Sequence, residues 1–271
     1  MVNETKETKE HLYPYEERRP SRSVEWGEYK GAYKFEDPAE LPDDEYRNML
    51  FKLLVVQAET EFASVLMHKP WLNVPPTHGD RLMQSKIIAD EMRHAWQMCE
   101  LLKAFGKEGD EAIERLLEQD LGSFKIETFN MEFENWFDIG AFLALMDRVG
   151  IYQLSLMEGC SYAPLARVIP LMVTEEKFHI QSGYNVLKRM VFDPDYPGDK
   201  ETAQKYVNKW YPRALDGFGH SGSEWSEKLV RFGIKKWDND QARKTYIQEV
   251  TIMLNKLGLE VPDEMYDRHV V

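Results

Sequence analysis

Residues 88–98 read IADEMRHAWQM and residues 174–182 read TEEKFHIQS, and each stretch carries Glu-x-x-His, at Glu91–His94 and at Glu176–His179. Around the first, Gln84, Ile87, Ile88, Glu91, His94, Ala95, Met98, Leu101, Leu102 and Phe105 recur at steps of three and four, which traces one face of an α-helix. Lys86, Asp90, Arg93, Gln97, Glu100 and Lys103 fall opposite, as a solvated face would. Around the second motif the stripe is Ile169, Met172, Val173, Glu176, His179, Ile180, Gly183 and Leu187. Both Glu–His pairs therefore interrupt an apolar face, where an uncompensated charge is expensive. Side chains three apart on a helix project together, so each pair can offer one carboxylate and one imidazole to the same metal ion.

A two-metal bundle needs one carboxylate from each of two more helices, and the spacing supplies candidates. Glu61 precedes Glu91 by 30 residues, and Asp147 precedes Glu176 by 29. At ~1.5 Å rise per residue, a helix that leaves the carboxylate, turns and returns antiparallel brings Glu-x-x-His back to the same height. Glu59 competes with Glu61 but breaks the matched spacing; Asp138 and Glu158 compete with Asp147, which lies one turn from Leu143 and Ile151. Salt bridges within a bundle would account for one buried Glu–His pair. Four carboxylates at one level are poorly explained that way, because they repel one another unless a cation lies between them. Carboxylate and imidazole donors without thiolate suit iron, or manganese, better than structural zinc. Asp90 and Glu175, each just before its motif's Glu, are placed to hydrogen-bond the outer nitrogen of a ligand histidine.

Working outward, the pattern predicts an all-α fold. The first helix starts near Asp43 and carries Leu50, Leu54, Ala58, Glu61 and Val65 until PWLNVPPTHGD, and the second runs from about Arg81 to Phe105 and stops at Gly106 as a left-handed cap. A variable stretch covers 107–134. The third helix is expected from near Asn135 to about 161–164, and the fourth over about Pro164–Met190 with a kink in its first turns at Pro170. Two or three more helices follow. We read 1–44 as an extended arm, partly disordered over 1–20, then 45–262 as one helical domain and 263–271 as a short tail. A formal net charge of −13 argues against binding driven by nucleic acid or anionic membrane. The first twenty residues hold no apolar run of signal or membrane length, and Cys99 and Cys160 sit in apolar helical stretches, so a reducing cytoplasm is expected.

The stretches IADEMRHAWQM, NWFDIGAFLALMDRVGIYQLSLMEGCSYAPLARVIPLMVTEEKFHIQSGYN and WYPRALDGFG resemble the catalytic subunits of bacterial phenylacetyl-CoA epoxidases and the related oxygenase components of benzoyl-CoA epoxidases. The resemblance spans roughly 45–262, including PWLNVPPT and LGLEVPDEM. It implies a ferritin-like four-helix bundle with additional C-terminal helices, two irons held by Glu61, Glu91, His94, Asp147, Glu176 and His179, and O2-dependent epoxidation of the ring of an aryl-CoA thioester. It also implies electrons from a separate flavin and iron–sulfur reductase, a catalytically silent paralogous subunit, and a hetero-oligomer or dimer. The CoA pocket would approach GSFKIETFNMEFENW at 122–136, where Lys125 is a candidate positive contact; Arg167, Lys177, Lys188 and Arg189 are others. The same donor set also suits iron storage, or a radical-generating protein with Tyr152 as the tyrosine.

Overall fold

The computed structural model describes residues 21–270, so the disorder expected over 1–20 lies outside the described residues. The described residues form eight α-helices: α1 (Asp44–His68), α2 (His78–Lys103), α3 (Lys107–Leu117), α4 (Trp136–Ser155), α5 (Ala163–Phe192), α6 (Lys200–Asp216), α7 (Glu224–Arg231) and α8 (Asn239–Leu257). Among them β-structure is limited to two isolated bridges, Ser23 with Tyr33 and Phe35 with Tyr162. The fold is all-α, a ferritin-like bundle.

The bundle is built from two intimate pairs, α1 with α2 and α4 with α5, joined where α2 meets α5. Helix α4 is apolar nearly all round, as WFDIGAFLALM foretells, and is the buried centre of the larger core, with α5 on one side and α6 and α8 on others. Glycine sets its distance from α5. A Cβ on Gly183 would collide with Ala144 N and Gly140 O, and one on Gly140 with the Val186 side chain. The two backbones therefore lie closer than side chains would permit.

Several boundaries differ from the periodicity. The Thr77 side chain accepts from Asp80 N (3.1 Å) and starts α2 at His78, three residues earlier than the apolar stripe suggests. At its other end α2 stops at Lys103, and Gly106 (φ +65°) is the joint into α3, a helix inside the variable stretch 107–134. Its inward apolar residues are only Ala112, Ile113 and Leu116, since Leu117 is exposed. Helix α4 ends at Ser155 because 156–159 form turns, with Leu156 O accepting instead from Lys236 N (2.8 Å) in the C-terminal part of the chain. Pro170 lies inside a helix that continues through it to Phe192.

The described part of the arm, 21–43, is fastened to the body. Phe35 exchanges backbone bonds with Ser161 O (2.9 Å) and Ala163 N (2.8 Å), and Tyr29, Phe35, Tyr46 and Phe232 form a cluster of rings with centroids 4.9–6.0 Å apart. Val24 is buried beside them. At the other terminus, Arg268 pairs with Asp216 of α6. Among the described residues no helix is long and apolar enough to cross a membrane, and both cysteines are buried free thiols.

Candidate metal centre and adjoining cavity

The four bundle helices bring the six sequence candidates to one level. Glu61 comes from α1, Glu91 and His94 from α2, Asp147 from α4, and Glu176 and His179 from α5, and all six are buried. Their donor atoms fall into two groups. Glu61, Glu91, His94 and Glu176 each offer an atom within 4.8 Å of the others, and so do Glu91, Asp147 and His179. His94 Nδ1 is 3.4 Å from Glu61 and 3.4 Å from Glu176; His179 Nδ1 is 3.4 Å from Glu91, 3.5 Å from Glu176 and 3.9 Å from Asp147. Glu91 and Glu176 thus stand between the two histidines.

The outer nitrogens are tied crosswise. His94 Nε2 lies 3.0 Å from Glu175, beside the other motif, and His179 Nε2 lies 3.2 Å from Asp90. With a metal bound, each imidazole would donate from Nε2 and turn an unprotonated Nδ1 toward the ion, the form a metal requires. Asp90 is buried rather than part of a solvated face, and it also takes an ion pair from Lys86. Arg93 pairs with Glu175. Gln57, one turn before Glu61, donates to Glu61 Oε1 (2.6 Å).

The competing carboxylates are occupied elsewhere. Glu59 is buried but accepts from Gln119 Nε2 (2.7 Å) on the other side of α1. Asp138 accepts from Trp210 Nε1 (2.5 Å) and Lys209 Nζ (2.6 Å) near the start of α4, and Glu158 lies exposed beyond its end.

A cation fits the cluster. His94 Nδ1, His179 Nδ1 and Asp147 Oδ2 are buried without any hydrogen-bond partner, a costly state unless something else satisfies them. Donor atoms sharing a small cation at ~2.1 Å stand roughly 3–4 Å apart, the separations found here. Burial, with the charges of Glu176 and Glu61 beside it, pushes the Glu91 carboxyl up, and burial beside Glu91 does the same to Asp147. Burial would lower His94, but the Glu176 and Glu61 carboxylates overturn this and raise it to about 10. The cluster alone therefore gathers protons to offset crowded negative charge, which metal ions would replace.

Beside the carboxylates lies a cavity of about 280 Å³. Glu61, Glu91, Asp147 and Glu176 are at its floor, and Leu53, Phe129, Met146, Leu154, Met157 and Phe218 form an apolar wall. Ile126 and Phe129 bring the 122–136 segment to it, and Lys235 and Asn239 come from the C-terminal part of the chain. The other basic candidates are placed apart from it. Arg167 pairs with Glu36 (2.8 Å), Arg189 is taken by Asp80, and Lys125, Lys177 and Lys188 are exposed and do not line the cavity. Tyr152 packs on Phe218 and Tyr246, outside the cavity lining.

Residues 23–269 match the sequence model of the family described as phenylacetic acid catabolic protein. The chain belongs to that family. Among its relatives, it is 30% identical over 236 residues to benzoyl-CoA oxygenase component B of Aromatoleum evansii, an alignment covering 79% of this chain and 49% of that protein. It is 25% identical over 230 residues to one of the subunits of 1,2-phenylacetyl-CoA epoxidase from Escherichia coli (strain K12), covering 84% and 73% respectively. The chain spans about half the length of the first relative. The family match takes in all four bundle helices, the cavity wall and part of the arm.

The sequence did not point to Gln57, Gln153, Lys235 or Asn239. Gln57 had a signal, its i−4 spacing from Glu61. Lys235 had none, since FGIKKW reads as a short basic segment between helices.

Proposed function

We propose that this member of the phenylacetic acid catabolic family is the oxygenase component of an aryl-CoA epoxidase. In this reading Glu61, Glu91, His94, Asp147, Glu176 and His179 hold two irons, and the substrate is phenylacetyl-CoA or a close relative. The observation that carries it is the pair of histidine Nδ1 atoms that make no hydrogen bond yet face four buried carboxylates beside a cavity with an apolar wall. The names of the two relatives support the oxygenase reaction and the CoA thioester. Bound iron would supply redox capacity for activating O2, which no side chain has. One oxygen atom enters the aromatic ring as an epoxide; the other leaves as water, with two electrons from a separate reductase and two protons.

The chain's own residues prepare this chemistry. Asp90 and Glu175 fix the imidazoles, and Gln57 fixes one oxygen of Glu61. The apolar wall of Leu53, Phe129, Met146 and Phe218 accepts a ring and excludes water from the carboxylates. Both relatives are named as parts of larger enzymes, which supports assembly with further chains, a paralogous non-catalytic one and a reductase among them. Leu82, Met92 and Trp96, large apolar side chains exposed on α2, are in keeping with a partner. A CoA substrate and free thiols support a cytoplasmic setting.

Iron storage or radical generation would use the same donors. Storage leaves the apolar cavity and its wall from the C-terminal part without a role, and Tyr152 packs away from the carboxylates. The deciding experiment is iron analysis with oxygen uptake. About two irons per chain, with reductant-dependent uptake triggered by an aryl-CoA, is expected. Loading of very many irons, or a stable tyrosyl radical in the resting protein, would overturn the reading.

A further inference from the structure

Lys235 stands in the wall of the cavity whose floor is the carboxylate cluster, and it is 6% exposed. Its Nζ donates to Gln153 Oε1 (2.5 Å) on α4 and to Asn239 Oδ1 (3.3 Å) at the start of α8. Both acceptors are neutral amides, and among the described residues no carboxylate pairs with this lysine. The group is rigidly held. Lys235 N donates to Leu229 O (3.1 Å), and Asn239 is fixed by Phe218 O (2.6 Å) and Ser226 Oγ (3.1 Å). An ammonium has three N–H groups, and two are used.

A buried cation without a counter-ion is unfavourable for the fold, since two amide oxygens recover only part of its lost hydration. Burial pushes this ammonium down to about 8, which leaves most of it charged at neutral pH. Such a group, with one N–H left over in a wall that also carries Leu53, Phe129, Met146 and Phe218, is matched by a ligand that brings an acceptor oxygen next to an apolar body. An aryl-CoA thioester has that form: its carbonyl oxygen lies two bonds (benzoyl) or three bonds (phenylacetyl) from the ring that Phe129, Met146 and Phe218 would enclose.

We propose that Lys235 donates its third N–H to the thioester carbonyl oxygen, fixing the acyl group so that the ring faces Glu61, Glu91, Asp147 and Glu176. This inference rests on the aryl-CoA reading and goes beyond it by assigning a substrate-binding residue. Gln153 and Asn239 act through Lys235 by aiming its ammonium.

The test compares phenylacetyl-CoA with its thioether analogue, in which the carbonyl is replaced by CH2, binding to the iron-loaded full chain with any subunits that copurify. The wild type should bind the thioester about tenfold more tightly, the worth of one charge-assisted hydrogen bond. Lys235→Met should bind the two within about twofold and show a KM for the thioester raised about tenfold, with wild-type iron content; Lys235→Arg should recover part of the preference. A wild type that binds both ligands equally well overturns the role of Lys235 while leaving the aryl-CoA reading standing. So does a folded Lys235→Met protein that keeps the full preference. A wild type that binds neither ligand overturns both. The wild-type comparison decides even if the variant fails to fold.

Discussion

At the scale of single residues, the centre depends on which nitrogen of each histidine is free. On the proposed reading Asp90 and Glu175 set that by accepting from the Nε2 atoms of the opposite motifs. Asp90→Asn and Glu175→Gln should therefore retain iron but bind it 10–100-fold more weakly, which a competition titration with a chelator reads. Unchanged affinity would show that the crosswise contacts are incidental. Glu91→Ala or His179→Ala removes a donor outright, and metal analysis of the folded variant should find the iron lost. Lys235 makes a different prediction. Its ammonium is held at about 8 when folded, against 10.5 for an unburied lysine. Between those values the unfolded chain binds a proton that the folded chain has released, so stability rises with pH across that window. Relative to Lys235→Met, the wild type should gain about 2 kcal/mol between pH 7 and 9.5, read from thermal unfolding at each pH. No relative gain would mean that the amine is solvated. Glu91, His94, Glu176 and His179 were legible because polar residues on an apolar stripe stand out. Lys235 was not legible, since its burial comes from helices far away in sequence.

At the scale of elements, the bundle is aligned by close contact of α4 with α5. Gly183 lies against Ala144 N and Gly140 O, one turn along α5 from His179. Alanine is favoured over glycine in a helix interior by ~1 kcal/mol, so an open site would be stabilised by Gly183→Ala. Here the added methyl meets backbone, and we expect a net loss of about 2 kcal/mol or more in denaturant unfolding. A stabilised variant would contradict the close packing. Helix positions were readable for α1, α2, α4 and α5, whose stripes are long and regular. Glu61 could be preferred to Glu59 only through matched spacing, and the structure gives the reason: two residues along α1 turn Glu59 toward Gln119 and away from the cluster. Helix α3 escaped notice because it is short and strongly charged. The end of α4 was placed too late because the contact that terminates it, Lys236 N on Leu156 O, comes from some 80 residues away.

At the scale of the whole molecule, α6, α7 and α8 distinguish this chain from a bare four-helix bundle. Helices α6 and α8 cover α4, and the stretch from the end of α6 to the start of α8 brings Phe218, Lys235 and Asn239 to the cavity wall, a closure that composition and periodicity could not reveal. On the proposed reading metal should matter to the whole fold, because it would bind the folded cluster and offset crowded carboxylates. Chelation should lower the melting temperature by several degrees, and no shift would argue that the cluster is satisfied by protons alone. The central claim, that this fold oxygenates an aryl-CoA, is tested most directly with heavy-isotope O2. The iron-loaded protein, with a reductant and its copurifying subunits, is given phenylacetyl-CoA under 18O2, and the CoA thioester is weighed by mass spectrometry. The expected product is a thioester carrying one heavy oxygen atom, formed only when substrate, reductant and iron are all present. A thioester of unchanged mass, with oxygen uptake that proceeds equally well without it, would contradict the account.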